Sequence, residues 1–266
     1  ASAAAGKENN LPGDQLHAMD YLMYAYLQGA QDREAKLLLD ELKLIQKYDV
    51  NRLTAPYAIV AMSARYAIER GHWDEAVRLE VDQGAYPYVQ AMAHFARAIG
   101  AARSGDTLSA RKNVEKLAEI YNDMIRAKNS YWASQVEIQR RAGAAWLARA
   151  QGKNDEALKS MRSAADLESS TEKHPVTPGP ILPARELLGD LLLELGQPKQ
   201  ALGEYEASLA ASPNRFRGLY GAAKAAELSR DQSKAKIYYT KLVDLCSKAD
   251  SDRPELLEAK ATLAKK

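Results

Sequence analysis

The stretch Arg185-Glu-Leu-Leu188-Gly189-Asp-Leu-Leu192, followed by Gly196-Gln-Pro-Lys-Gln-Ala201-Leu-Gly-Glu-Tyr205 and then Pro213, decides how the chain is read. Its apolar residues recur at helical spacing on both sides of Gly196, so it describes two helices joined by a tight turn. The phrase that marks the turn, a glycine, a short polar run and an alanine opening the next helix, recurs along the chain. It occurs as Gly71-His-Trp-Asp-Glu-Ala76, Gly105-Asp-Thr-Leu-Ser-Ala110 and Gly152-Lys-Asn-Asp-Glu-Ala157. A looser copy one residue longer opens at Gly29 and ends at Ala35, and a copy without glycine runs from Arg230 to Ala235. The glycine supplies the left-handed residue that ends a helix. The Asp or Asn after it caps the next one, and the alanine lets the two helices approach closely.

The step from Gly71 to Gly105 is 34 residues, as is the step from Gly196 to Arg230. The other steps, 42 from Gly29, 47 from Gly105 and 44 from Gly152, leave room for longer helices or inserted loops. A fixed period near this length is the mark of stacked helix pairs. Residues 182–215 resemble a tetratricopeptide repeat, whose pattern is Trp-x2-Leu-Gly-x2-Tyr, then Ala-x3-Phe, then Pro. Leu188, Gly189, Ala201, Tyr205 and Pro213 fall on the pattern, whereas Arg185 and Leu192 replace its two aromatics. The next unit, Leu219-x2-Ala222-Ala223-x2-Ala226 and then Ala235-x3-Tyr239, keeps the phase. The resemblance is fullest over 182–248, thinner over 57–170 and thinnest over 15–50. The whole is similar to the C-terminal half of longer bacterial tetratricopeptide proteins.

That resemblance implies an all-α superhelix of antiparallel helix pairs, about six units plus a capping helix, in which no pair buries its apolar face alone. The expected organisation is a tail or truncated helix at 1–14, an array over 15–248 and a capping helix at 252–266. Small residues such as Gly189, Ala223 and Ala145 are expected where helices cross, with Leu188, Tyr205 and Tyr239 filling the space between pairs. Turns are expected near Gly29, Gly71, Gly105, Gly152, Gly196 and Arg230. The helix His17–Gln28 is apolar and aromatic, which suggests that further repeats precede it or that a partner covers it.

Composition narrows the function classes. With 37 Lys+Arg against 35 Asp+Glu, the net charge of +2 gives no field that selects nucleic acid as a partner. One cysteine among 266 residues excludes an internal disulfide framework and a thiolate cluster. No apolar run is long enough to span a membrane. The absent signal region leaves cytoplasm and periplasm both open. No nucleophile motif, metalloprotease motif or phosphate loop is present, and no cofactor is implied. The pairs Asp74/Glu75 and Asp155/Glu156 fall at helix starts, where they complement the helix dipole. His17 with Asp20, His72, and His94 read first as packing or surface residues, and Cys246 as an apolar packing residue.

Two features point toward binding. The segment 168–181, with Pro175, Pro178 and Pro180 around Gly179, cannot be helical. It is either a surface connector or a loop that folds over a groove. In tetratricopeptide arrays the first helix of each pair lines a concave groove. Equal offsets from each turn then give Met62 and Arg65, Phe95 and Arg103, Trp146 and Arg149. The later sets are Glu186, Asp190 and Glu194, then Tyr220 and Lys224. The expected function is a non-enzymatic module that holds an extended peptide or a partner helix in this groove, acidic over the arginines and basic toward 186–194. The carboxylate clamp of chaperone-binding relatives is not reproduced. The alternatives are a scaffold segment of a larger protein and a metal or small-molecule site built on His94 and His174.

Overall fold

The computed structural model describes residues 12–45, 48 and 53–265. The chain is 75% helical, with thirteen helices and no strand among the described residues. It divides into two compact units, one formed by 1–24 and 36–182, the other by 25–35 and 183–266. The helices are α1 (Pro12–Gln28), α2 (Asp32–Lys43), α3 (Thr54–Ile68), α4 (Trp73–Val77), α5 (Pro87–Arg103), α6 (Thr107–Arg126) and α7 (Ser130–Ala150). They continue as α8 (Asn154–Ser169), α9 (Ala184–Glu194), α10 (Pro198–Ala211), α11 (Phe216–Leu228), α12 (Gln232–Leu245) and α13 (Pro254–Ala264). The tail expected at 1–14 lies mostly outside the described residues, and helix begins at Pro12.

In the first unit each helix from α4 to α8 packs on the one before it, and α5 also packs on both α3 and α7. The second unit repeats this rule, with α9 on α10, α11 on α12, and α11 also against α9 and α13. First helices therefore stack on first helices, so each pair completes its neighbour's core. This is the packing that tetratricopeptide-like repeats require.

The punctuation is repeated nearly unchanged. The residue that leaves the helix takes a left-handed φ at Gly71 (69°), Gly105 (81°), Gly152 (77°), Gly196 (69°) and Arg230 (64°). Behind each, the next amide donates five residues back, as from Asp106 N to Ala101 O (2.9 Å) and from Asp231 N to Ala226 O (2.9 Å). That bond satisfies a carbonyl the helix end would otherwise orphan. At Arg230 the geometry is the same with a side chain present, so the turn is set by this bond and not by glycine alone. In the longer first copy the left-handed residue is Ala30 (φ 53°), one position beyond Gly29. Lys128 (φ 55°) and Asn214 (φ 60°) form further left-handed turns between successive pairs, which the glycine-based reading missed.

The uneven steps have physical causes. The long step after Gly105 holds α6 and α7, of 20 and 21 residues. Within the regular step from Gly71, helix α4 is only 5 residues long; after it Asp82 closes a turn by accepting from Gly84 N (2.8 Å), and Pro87 holds Tyr86 in extended backbone before α5. Capping is selective: Asp106, Asn129 and Asp231 accept from the amide three residues on. Asp155 lies instead within the first turn of α8, after Lys153 at the cap.

The core follows the expected division between small and large residues. Gly189, Ala145 and Ala223 are buried, and so are Leu188, Tyr205 and Tyr239. On α1 the apolar residues Leu16, Met19, Met23 and Leu27 are fully buried within the chain, while Tyr21 keeps 39% of its surface exposed.

The turn between α1 and α2 is clasped by residues near the far end of the sequence. The Asp250 carboxylate accepts from Arg33 N (3.0 Å) and Glu34 N (3.1 Å), capping α2 from outside its own helix. Ala30 O accepts from Asp250 N and from the Ser251 hydroxyl, and Arg253 Nε donates to Asp32 (3.0 Å) while its guanidinium lies over Phe216. Cys246 Sγ points at Gln28 O (3.8 Å), and burial pushes its thiol up to about 11. Alkylation of Cys246 at pH 8 is therefore expected to be slow in the native protein, since little thiolate exists and access is closed. In Asp250→Ala or Arg253→Ala it should accelerate at least about tenfold; an unchanged labelling rate would show that the clasp does not hold this turn.

Candidate functional site

Five residues of the expected inner wall, Met62, Arg65, Phe95, Trp146 and Glu186, lie in the core. Met62, Phe95 and Trp146 are buried at 0%, 2% and 3% exposure. They fill the space between helices and offer no anchor to a ligand. Helix α5 is enclosed over most of its circumference, with Val89 and Ala91–Ala96 all buried. Its amphipathic phase therefore carried little information about a free face.

The charged candidates are engaged within the protein. Arg65 is fully buried; its Nη2 donates to Gly179 O (2.7 Å), Nη1 lies 3.8 Å from Asp20, and Tyr24 lies beneath its guanidinium. Desolvation of Asp20 outweighs the nearby Arg65 and raises its carboxyl pKa. Arg103 is exposed and stacks on Trp146 (4.4 Å) and Trp73 (5.3 Å), while Arg149 is half-buried. Glu186 is a buried counter-ion of Arg215. Asp190 pairs with Arg217 (2.5 Å) and accepts from the Tyr205 hydroxyl, and Glu194 is exposed. Lys224 and Tyr220 both donate to Glu258 at 2.6 Å. Burial together with Glu258 raises the Tyr220 hydroxyl pKa. Of the charges expected on the wall, Arg65, Glu186, Asp190 and Lys224 have counter-ions inside their own unit.

The histidines separate. His17 packs edge-on against Tyr21, and His72 is exposed beside Glu75 and Arg70. His94 bonds Asn113 (2.9 Å), and burial lowers its pKa. His174 lies in the proline segment, its ring stacked on Trp132. No cluster of three or more potential metal ligands occurs among the described residues.

What the structure does assemble is a ledge of aromatic rings in the first unit. Tyr86 and Tyr88 open α5, Tyr131 and Trp132 open α7, Tyr57 lies on α3, and His174 arrives from the segment after α8. Tyr86 stacks on Tyr88 (5.5 Å, 7°), Tyr88 on Trp132 (4.2 Å, 9°) and Trp132 on His174 (5.5 Å, 22°). Four nearly parallel rings therefore run in one row, with Tyr131 edge-on to Trp132 (79°). Each stacked pair adds about 0.5–1.5 kcal/mol beyond area burial, so the row is stiff. Tyr86 ends it with 38% of its surface exposed, and Tyr88, Trp132 and Tyr131 are half-buried. The only early hint of this ledge was local, two aromatics at the start of each of two first helices; that their rows join depends on the fold.

Of the segment 168–181, Glu168 and Ser169 still belong to α8, and the remainder packs back onto the unit. Thr177, Gly179 and Ile181 are buried, and Arg65 holds the Gly179 carbonyl. Elsewhere in this unit, Ile59, Val60, Ser63, Leu79 and Val81 line an open hollow of about 560 Å³, together with Glu75, Arg78, Glu80 and Asp82.

No family model matches the sequence, and no curated protein matches it either. Among solved structures, the chain is similar to nearly identical TPR-like repeats from a Podosopora anserina protein described as a kinesin light chain. The sequence identity is 16%, the TM-score is 0.41, and the match covers 90% of this chain and 98% of that one. Within each unit, successive helices pair and first helices stack on first helices, which makes the fold an all-α array of helix hairpins. No helix among the described residues is long and apolar enough to cross a membrane.

Proposed function

We propose that the chain is a protein-interaction module that acts by binding, not by catalysis, and that the aromatic ledge of the first unit is its contact surface. The observation that carries this reading is the row Tyr86, Tyr88, Trp132 and His174, stiffened by stacking and open to solvent at the Tyr86 end. Rigid aromatic side chains supply contact area at low entropic cost, which is why they dominate binding hot spots. The ledge replaces the charge-graded wall as the place for an extended ligand, since Glu186, Asp190 and Lys224 already have internal counter-ions. The scaffold alternative draws on an uncovered apolar first helix; Leu16, Met19, Met23 and Leu27 of α1 are buried, and Tyr21 is the large apolar residue it leaves exposed.

The test is quantitative affinity capture from native lysate with the parent and a Tyr86→Ala/Tyr88→Ala variant of unchanged circular dichroism. Proteins enriched by the parent should fall about tenfold with the variant, the loss expected for a hot-spot pair. Identical capture by both proteins would overturn the ledge as the contact surface.

A further inference from the structure

The first unit carries a second concavity, and none of the residues that line it belongs to the row of rings. Ile59, Val60 and Ser63 form one side from α3, Leu79 and Val81 another from the chain that leaves α4, and the buried Ala93 of α5 joins them. Ile59, Val60, Leu79 and Val81 are only half-buried, so their aliphatic side chains border the open space of about 560 Å³. That volume falls in the range of about 300–1,000 Å³ usual for pockets that receive a ligand. Ser63 adds no free hydroxyl, because it donates to Ile59 O (3.2 Å). The wall is therefore aliphatic. The charge left at its rim is negative. The lining holds Glu75, Glu80 and Asp82 against Arg78. Arg78 is bonded to Asp74, and Glu75 is held by Arg70 (3.2 Å) and His72 (3.0 Å). Arg97 of α5 is half-buried and donates to the Leu79 carbonyl (3.4 Å). Glu80 and Asp82 are exposed, and neither has an ion-pair partner among the described residues. Asp82 accepts from Gly84 N through Oδ1 (2.8 Å), and burial together with its charge raises the pKa of the Tyr48 hydroxyl.

We infer that this hollow is a second docking point, which takes a basic segment of a partner protein: an aliphatic side chain enters between Ile59, Val60, Leu79 and Val81, and a Lys or Arg beside it pairs with Glu80 and Asp82. Burial of the aliphatic group supplies the affinity. The two carboxylates at the rim select the cation, set its orientation and repel an acidic segment. The hollow is open, which suits a side chain delivered from a neighbouring surface; a free small molecule would keep much of its own area in water. The inference does not depend on the ledge, since the two places share no residue.

The experiment selects binders to the full chain from a displayed library of random peptides and sorts them on variants of unchanged circular dichroism. Val60→Trp fills the hollow with a ring, and Leu79→Asp puts a charge in its wall should the first variant fold poorly. Glu80→Lys/Asp82→Lys reverses the rim at two exposed positions. Peptides lost on the filled hollow should carry Lys or Arg next to Leu, Ile or Met. Rim reversal should weaken them at least about tenfold, and added salt should weaken them as well. The Tyr86→Ala/Tyr88→Ala variant should bind them as the parent does. Hollow-dependent peptides that are neutral or acidic, or that ignore the rim reversal, would overturn the basic partner. Binders that all survive both Val60→Trp and Leu79→Asp would overturn the hollow as a docking point, and their response to the tyrosine variant then judges the ledge separately. Sedimentation of the parent alone covers the remaining occupant: self-association abolished by Val60→Trp would replace the partner with a second copy of this chain.

Discussion

Replacing Glu186 by Ala is expected to destabilise the second unit by about 3–5 kcal/mol, the cost of leaving a buried charge without its partner. Glu186 and Arg215 are each 1% exposed, joined by Nε–Oε1 at 2.6 Å and Nη2–Oε2 at 2.9 Å. The bond is bidentate and links the first turn of α9 to the residue that precedes α11, so it ties two successive first helices. Gly218 is part of the arrangement, since a Cβ there would lie 2.9 Å from Glu186 Oε1. The cost belongs to the orphaned guanidinium, not to the pair as such. A Glu186→Leu/Arg215→Met double replacement should therefore recover most of the loss. Hydrogen exchange of α9–α11 amides and thermal unfolding measure both variants. Since about 1 kcal/mol moves the midpoint of a domain this size by several degrees, Glu186→Ala should melt at least about 10 °C lower. A melt unchanged from the parent would show that the pair is not buried as described.

The same residue shows where reading from sequence stops. The turns were legible because their signal is local: a left-handed residue, a polar cap and an alanine lie within six positions. The fold followed from their repetition. The groove was not legible, because equal offsets from a turn presuppose helices of one length with one free face. Helix α5 has 17 residues and is buried nearly all round, while α9 has 11. Phase placed Glu186 and Trp146 on a wall when both are enclosed. Arg65 illustrates the non-local part. Its burial depends on Asp20, from α1, and on the Gly179 carbonyl, 114 residues away in sequence. The clasp on the α1–α2 turn is of this kind too, since Asp250 meets Arg33 across 217 residues. The ledge assembles from helix starts that sequence reading treats as separate, and only the packing of α5 on α7 makes them one row.

The second large effect is expected at the crossing around Tyr205, where two glycines face one ring. A Cβ on Gly189 would lie 2.6 Å from Tyr205 Cζ, and one on Gly221 would lie 2.3 Å from the same ring. Both distances are below any tolerable contact, and the ring has no room to retreat. Tyr205 is fully buried, with its hydroxyl donating to Asp190 at 2.5 Å. Burial and that carboxylate hold the Tyr205 hydroxyl pKa well above its ordinary value, so it remains a donor. Gly189→Leu should therefore cost about 1–3 kcal/mol or more by overpacking, and Gly221→Ala a similar amount. Asp155→Ala, an exposed first-turn residue and not a cap, should cost only a few tenths, at most about 1 kcal/mol. Tyr205→Leu removes the ring that both glycines accommodate. Combined with Gly189→Ala, it should cost less than the sum of the single changes, because residues in contact do not act additively. Additive losses across that cycle would place Gly189 away from Tyr205, and the stacking of α9 against α10 would have to be redrawn.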